Sequence, residues 1–340
     1  MEQENVTILG AGSWGTALAH LLANKGHHVT LWDRDNELTS QIHEFHINRK
    51  YIPDTLLNTA IKATSSISDA TAHADWIIIA VSSDGVRSVV AEASPHIQST
   101  AVIISACKGL EASTGFTTSE VIDTLLSDVP YAGLAVISGP NLAGELFRGV
   151  PSATVAASHD PGIARAVQEL LITDRTFRVY TQSDVRGVEL GGALKNVLAI
   201  GAGLSDGLGY GDNTKAALMS RGLMEMTQLG VATGGQALTF LGLAGVGDLM
   251  ATMASKLSRN YRVGVGLAQK KNLQEILSEL HQAAEGVPTA TAAQVLSERF
   301  GVNTPVFATI DRVIHHGLSP VVAVDELMGR TAREEFSQQS

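Results

Sequence analysis

Between Glu189 and Gly203 the chain reads ELGGALKNVLAIGAG, and Lys195 is the one cation in that run. Helical spacing puts Gly191, Gly192 and Ala199 beside it, at i−4, i−3 and i+4. Two glycines inside a helix cost roughly 1 kcal/mol each against alanine, so a compensating use is expected. The expected use is room: a bare strip of helix where a small molecule or another backbone comes close. Asn196 adds an amide donor and acceptor next to the ammonium. A lysine desolvated there has its pKa pushed down, toward the range in which it can pass protons. The bland alternative is a packed core helix whose lysine stretches out to water. This segment alone does not separate the two.

A second cluster lies at Leu243–Gly264, where Asp248 is flanked by glycine and followed by Thr252 and the triplet Ser258-Arg259-Asn260. A guanidinium beside a hydroxyl and an amide suits a phosphate, because its fixed N–H donors match the oxygens of the anion. Its alternative is a capped helix end with a surface arginine. Lys108 follows the apolar run Ala101–Ala106, where it can reach a bound anion or carbonyl. Cys107, beside no histidine in sequence, reads as packing. His43 and His46 sit at i, i+3 spacing, and His315-His316 form another pair. Neither has the further ligands a metal needs, so no metal site is assigned. Arg221 and Glu225 read as a structural i, i+4 pair, and Glu285 stands in an unreadable turn.

The elements that would position these groups begin with the strand Val6–Leu9, followed by Gly10, Gly12 and Gly15 in a G-x-G-x-x-G pattern. Apolar spacing then turns helical to Gly26, and Val29–Trp32 closes a βαβ unit with Asp33-Arg34 at its tip. Gly10 permits the turn, Gly12 lets a pyrophosphate near the backbone, and Gly15 lets helix and sheet pack. The helix start supplies free N–H groups to the phosphates. Asp33 favours NAD, by reading a ribose hydroxyl; Arg34 can stack on adenine or pair with a 2′-phosphate, which favours NADP. Both cofactors are therefore expected to bind.

Apolar runs at Trp76–Val81, Ala101–Ala106, Ala135–Ile137, Ala153–Ala157 and Phe177–Thr181 continue the alternation. They predict a largely parallel sheet covered on both faces, with ligand at its carboxyl ends. Beyond about Ser183 the pattern is helical to the end. The expected fold is α/β: a Rossmann-like, mostly parallel sheet over residues 1–182 and an all-helical substrate domain over 183–340. Gly201–Asn213 is glycine-rich but follows a helix, so it reads as a connecting loop rather than a phosphate loop. The uncharged run Thr227–Gly247 carries six glycines and reads as a buried helix with its loop rather than a membrane span.

With 24 Lys+Arg against 34 Asp+Glu, the net charge of −10 argues against nucleic acid and acidic membranes as partners. One cysteine allows no internal disulfide, which suits a reducing cytosol. The polar N-terminal MEQENV has no signal-peptide character, so a cytoplasmic protein is expected. Oligomeric state is not written in the sequence, and a homodimer stays open.

The segments GAGSWGTALA, Lys108-Gly109, SGPNLAGE, LKNVLAIGAGLSDGLGYGDNTKAAL, GVGDL with SRN, and EGVPTA span residue 6 to about 290. In them the chain resembles the NAD(P)-dependent glycerol-3-phosphate dehydrogenases of bacterial type. The LKN and GDL–SRN segments are specific to that family. The resemblance implies that Ser13, Trp14 and Arg34 contact NAD or NADP, with Ala143 near the nicotinamide and Glu285 bonded to the nucleotide. It implies that Lys108 touches cofactor and substrate, and that Lys195 accepts the proton in glycerol phosphate oxidation. Gly139, Asn141, Asp248, Ser258, Arg259 and Asn260 would hold the small phosphorylated substrate, Arg259 also reaching the cofactor. A supply of glycerol phosphate for phospholipid synthesis is the implied role. Asn141 and the VSSDGV turn depart from the family's usual residues. Two rivals are a β-hydroxyacid dehydrogenase acting on an unphosphorylated keto acid and a non-catalytic NAD(P)H-responsive binding protein.

Overall fold

A computed structural model describes residues 3–280, 282–331 and 334. Ten strands come first: β1 Asn5–Leu9, β2 His28–Trp32, β3 Ile47–Asn48, β4 Ile52–Leu56, β5 Lys62–Thr64, β6 Trp76–Ile79, β7 Val102–Ser105, β8 Gly133–Ser138, β9 Ser152–Ala157 and β10 Phe177–Gln182. Eight form one sheet in the order β10-β9-β8-β7-β6-β1-β2-β5, while β3 and β4 make a separate hairpin. Every pairing in the large sheet is parallel except β8 with β9. The sheet is thus mostly parallel, as expected, with β9 and β10 running against the rest.

Continuous apolar runs such as Ile77-Ile78-Ile79 and Val102-Ile103-Ile104 are buried because helices cover both faces. The strands β3, β4 and β5 carry too little apolar periodicity to be seen beforehand. Short and partly exposed, they hold IN, IPDTL and KAT.

From Val185 onward the described elements are helices, counting the π-helical turn Leu243–Gly247. Val185–Gly207 is their axis: nearly every residue on it is buried, and the helices Asp212–Ala232, Asp248–Ala254, Arg259–Ala268 and Gly286–Phe300 pack against it. Its glycines are the reason they can. A Cβ on Gly191 would lie 2.5 Å from the Ala244 carbonyl oxygen, and one on Gly203 would lie 2.0 Å from that of Tyr261. The room beside Lys195 is therefore taken by the Ala244 backbone at Gly191 and by the Ser138 hydroxyl at Gly192.

Two expectations are corrected. Gly201–Asn213 is no loop: the helix runs to Gly207, and the turn is confined to Leu208–Gly211. The run Thr227–Gly247, expected as a helix with its loop, is helical to Ala232 and then a connection that carries the short Ala237–Phe240 helix and the turn Leu243–Gly247. Arg221 and Glu225 form no ion pair among the described residues. Buried Glu225 instead accepts the free N–H groups of Val306 (2.9 Å) and Phe307 (3.2 Å) at the start of the Pro305–His315 helix.

Candidate active site

The glycine loop between β1 and the Ser13–Asn24 helix is shaped as its spacing implied. Gly10 has φ +119°, and a Cβ there would press on the Ala80 carbonyl at 2.8 Å. A Cβ on Gly15 would come within 1.9 Å of the Gly10 oxygen, so only glycine lets this helix sit on its strand. A Cβ on Gly12 would meet nothing within 4 Å: that side of the loop is open. Gly12 caps the helix without a side-chain bond, leaving first-turn N–H groups for an anion. These residues fit a dinucleotide pyrophosphate.

Two side chains hold the loop. Asn48 donates to the Ala11 carbonyl (2.8 Å) and the Thr16 hydroxyl (2.9 Å). Asp33, expected to read a ribose, accepts from the Ala11 N–H (3.0 Å) and the Asp35 N–H (3.1 Å). Both its oxygens are thus engaged by backbone, while Arg34 beside it is exposed near Ser82 and Gly85. Trp14 packs edge-on to Phe177 with its indole N–H buried and without a partner among the described residues. Ser13 and Ala143 lie at the starts of the Ser13–Asn24 and Ala143–Phe147 helices, both half-buried.

The charged centre is Asp248. One carboxylate oxygen accepts from the Lys195 ammonium, and the other accepts from the Lys108 ammonium at 2.9 Å. Lys195 also donates to the Thr252 hydroxyl (2.7 Å), and Lys108 to the Gly139 carbonyl (2.7 Å). An ammonium has three donors, so each lysine keeps one N–H to offer. Their exposures differ: 6% for the Lys195 side chain and 17% for Lys108. Burial pulls the Lys195 pKa down to about 8; Asp248 resists that pull, and the Lys108 charge adds to it. In sequence Thr252 is only a neighbour of Asp248; being i+4 from it on one helix is what brings it to the same ammonium.

Asn196 links this centre to the phosphate-cradle candidate. Its amide donates to the Lys108 carbonyl (2.9 Å), and its oxygen accepts from Asn260 (2.9 Å). The Asn260 oxygen in turn accepts from the Gly286 N–H at 2.9 Å. Ser258 is the N-cap of the Arg259–Ala268 helix, accepting from the Tyr261 N–H. Arg259 opens that helix; its exposed guanidinium makes no side-chain bond among the described residues. Crowding by protein lowers its pKa, against the pull of Glu285 and Tyr51. Capped helix end and free cation coexist here.

Glu285, next in sequence to Gly286, reaches the Ser83–Ala93 helix of the N-terminal half, accepting from the Ser83 N–H (3.0 Å) and hydroxyl. Burial raises its pKa, against these bonds. Asn141 points elsewhere: its amide donates to the Ala153 carbonyl (2.9 Å), and its oxygen is buried without a partner among the described residues. Cys107 is buried with its thiol directed at the Ile79 and Val81 carbonyls, and burial pushes its pKa up. A cavity of 1210 Å³ between the Asp212–Ala232 and Pro320–Met328 helices contains none of the candidate residues.

Residues 5–164 match the family model described as NAD-dependent glycerol-3-phosphate dehydrogenase N-terminus, and residues 184–325 match that of its C-terminus. The chain is 45% identical over 332 residues to a glycerol-3-phosphate dehydrogenase [NAD(P)+] of Citrifermentans bemidjiense, covering 98% of this chain and 99% of the relative. It is 44% identical to one from Streptomyces griseus, over 96% of this chain and 97% of that one. Its structure superposes on the crystal structure of glycerol-3-phosphate dehydrogenase from Coxiella burnetii with a TM-score of 0.92, 36% identity, and coverage of 96% and 99%. A nucleotide-type glycine loop, a desolvated lysine held by a shared carboxylate and two matching halves agree: the chain belongs to the NAD-dependent glycerol-3-phosphate dehydrogenase family.

Proposed function

We propose that the protein interconverts dihydroxyacetone phosphate and sn-glycerol 3-phosphate with NADPH or NADH. The observation that carries this reading is the Lys195 ammonium, buried, bonded to Asp248 and Thr252, with one N–H left over. Residues 1–182 hold the nucleotide in this proposal, through Gly10, Gly12, Ser13, Trp14, Gly15, Arg34 and Ala143, and Glu285 reaches it from the C-terminal half. Residues 183–340 supply most of the substrate site. The nicotinamide, when bound, supplies or takes the hydride at C2.

Lys195 gives its proton to the oxygen that becomes the alcohol and takes it back in the reverse direction. Lys108 offers its free N–H to the same developing charge. Asp248 keeps both ammoniums in place. Arg259, with the N–H groups opening its helix, meets the phosphate, an arrangement that suits a dianion. Ser258, Asn260 and Gly139 complete the substrate pocket in this reading, Asn260 chiefly by fixing Asn196, while Asn141, turned to the Ala153 carbonyl, is left out of it. The phosphate clamp distinguishes the proposal from a dehydrogenase of unphosphorylated keto acids. A desolvated proton donor distinguishes it from a cofactor sensor.

The test is absorbance at 340 nm with NADPH and then NADH, against dihydroxyacetone phosphate and dihydroxyacetone. Oxidation with the phosphorylated ketone alone supports the reading; equal rates with both ketones, or no oxidation with either, reject it. Delivery of glycerol phosphate to phospholipid synthesis in the cytoplasm is the physiological part of the proposal.

A further inference from the structure

Glu189 and Asn196 are seven residues apart on the Val185–Gly207 helix, about two turns or roughly 10 Å, and so share one face. Gly192, between them, sits where a Cβ would strike the Ser138 hydroxyl at 2.4 Å. This face meets the N-terminal half at three points: the start of the Thr118–Leu125 helix, the end of β8 and the loop after β7. Glu189 is buried, and its carboxylate accepts from the Thr118 hydroxyl (2.6 Å), the Ser119 N–H (2.8 Å) and the Ser119 hydroxyl. The Thr118 hydroxyl is also 2.6 Å from that of Ser105, the last residue of β7. Asn196 holds the Lys108 carbonyl, three residues past the same strand.

One strand end and the loop after it are thus pinned to the helix at two levels. Lys195 precedes Asn196 and so points about 100° around the axis, toward Asp248. Apolar packing alone is non-directional and does not fix the rotation of a helix, whereas two polar pins two turns apart do. Burying a carboxylate is costly, and here three donors offset that cost.

We propose that Glu189 is a positioning residue for the reaction: by gripping Thr118 and Ser119 it sets the rotation of the lysine helix so that Lys195 and Lys108 share Asp248. The proposal rests on Lys195 as proton donor. Glu189 itself bonds to neither lysine and is placed to touch neither substrate nor cofactor.

Glu189→Gln can keep all three bonds, its oxygen accepting from Thr118 and the Ser119 N–H while its amide donates to the Ser119 hydroxyl. Glu189→Ala removes them all. Turnover is measured per NADPH-binding site, counted by fluorescence titration. Glu189→Ala is expected to lower kcat by about 10²-fold, because small misplacements of a reacting group are expensive. The NADPH Kd and the KM for dihydroxyacetone phosphate should stay within about threefold, and Glu189→Gln should recover kcat to within about threefold. Should Glu189→Ala not fold, Ser119→Ala decides, with kcat expected about tenfold down.

Unchanged kcat per site in Glu189→Ala (or in Ser119→Ala, where that variant decides) overturns the proposal. So does a Glu189→Gln enzyme as impaired as Glu189→Ala. Lys195→Ala is run alongside. If it keeps full turnover, the proton-donor reading has failed; if it is inactive while Glu189→Ala is fully active, only the positioning role has.

Discussion

Asn260 donates its side-chain amide to the Asn196 oxygen at 2.9 Å, tying the start of the Arg259–Ala268 helix to the residue beside Lys195. In the proposed reading, one hydrogen bond thus joins the end that meets the phosphate to the end that transfers the proton. Asn260→Ala should leave the Gly286 N–H and the Asn196 oxygen buried without partners. A stability loss of about 1–3 kcal/mol is expected by urea unfolding. The KM for dihydroxyacetone phosphate should rise in the same variant.

Lys195→Ala should reduce kcat by roughly 10²–10⁴ while NADPH binding, followed by fluorescence, hardly moves. With the Lys195 pKa near 8, ketone reduction needs the ammonium and should fall as pH rises through that value. Alcohol oxidation needs the free amine and should rise over the same range. Rate profiles from pH 6 to 10 in the two directions should cross, and parallel profiles would remove Lys195 from proton transfer.

Arg259→Ala removes a cation that no described side chain neutralises by direct contact. A charge-assisted contact to phosphate is worth about 1.5–3 kcal/mol, so KM for the substrate should rise on the order of 10–100-fold. Turnover with dihydroxyacetone, which has no phosphate, should be little altered by the substitution.

Asp33 is occupied with the Ala11 and Asp35 N–H groups, whereas Arg34 is exposed at the same strand end. NADPH is therefore expected to bind more tightly than NADH. Arg34→Ala should weaken NADPH by about tenfold or more and NADH by much less. Titration of both reduced cofactors checks it, and equal losses would place Arg34 away from the 2′-phosphate.

Glu225 tests a different physical effect. Burial raises its pKa to about 7, against the two backbone N–H groups that favour its ionised form. Its folded pKa thus exceeds the unfolded one, and its contribution to stability is greatest below the unfolded value and declines as pH rises toward 7. Glu225→Gln does not titrate. Its stability relative to the parent should therefore shift upward by on the order of 2–3 kcal/mol between pH 4.5 and pH 8. Urea unfolding at the two pH values measures this shift, and a constant difference would show that Glu225 keeps an ordinary pKa.

The sequence carried the glycine loop, the central strands and the lysine helix, because each is encoded locally. Gly10, Gly12 and Gly15 state their turn and their packing, and Ile77-Ile78-Ile79 state a buried strand. Lys195 announced itself by standing alone among apolar and small residues. The strands β3 to β5 were invisible because edge strands this short are held by partners rather than by their own pattern. Glu189 was invisible for the same reason: it read as the charged end of an apolar run, and its partners lie about seventy residues away in sequence. The bonds that Asp33 accepts from the Ala11 and Asp35 N–H groups were not legible either, because they depend on how the loop folds back, which no motif records.

The glycines of the Val185–Gly207 helix have a bearing on engineering. Replacing helical glycine by alanine ordinarily gains stability, since alanine holds the helix better and loosens the unfolded chain less. At Gly191 and Gly203 the added methyl would drive into backbone on the next turn or helix, at 2.5 Å and 2.0 Å, and at Gly207 it would press on the Ala268 methyl at 2.6 Å. That route to a hardier protein is closed along its own axis. Attempts to raise its melting point should begin on peripheral segments, leaving this spindle untouched.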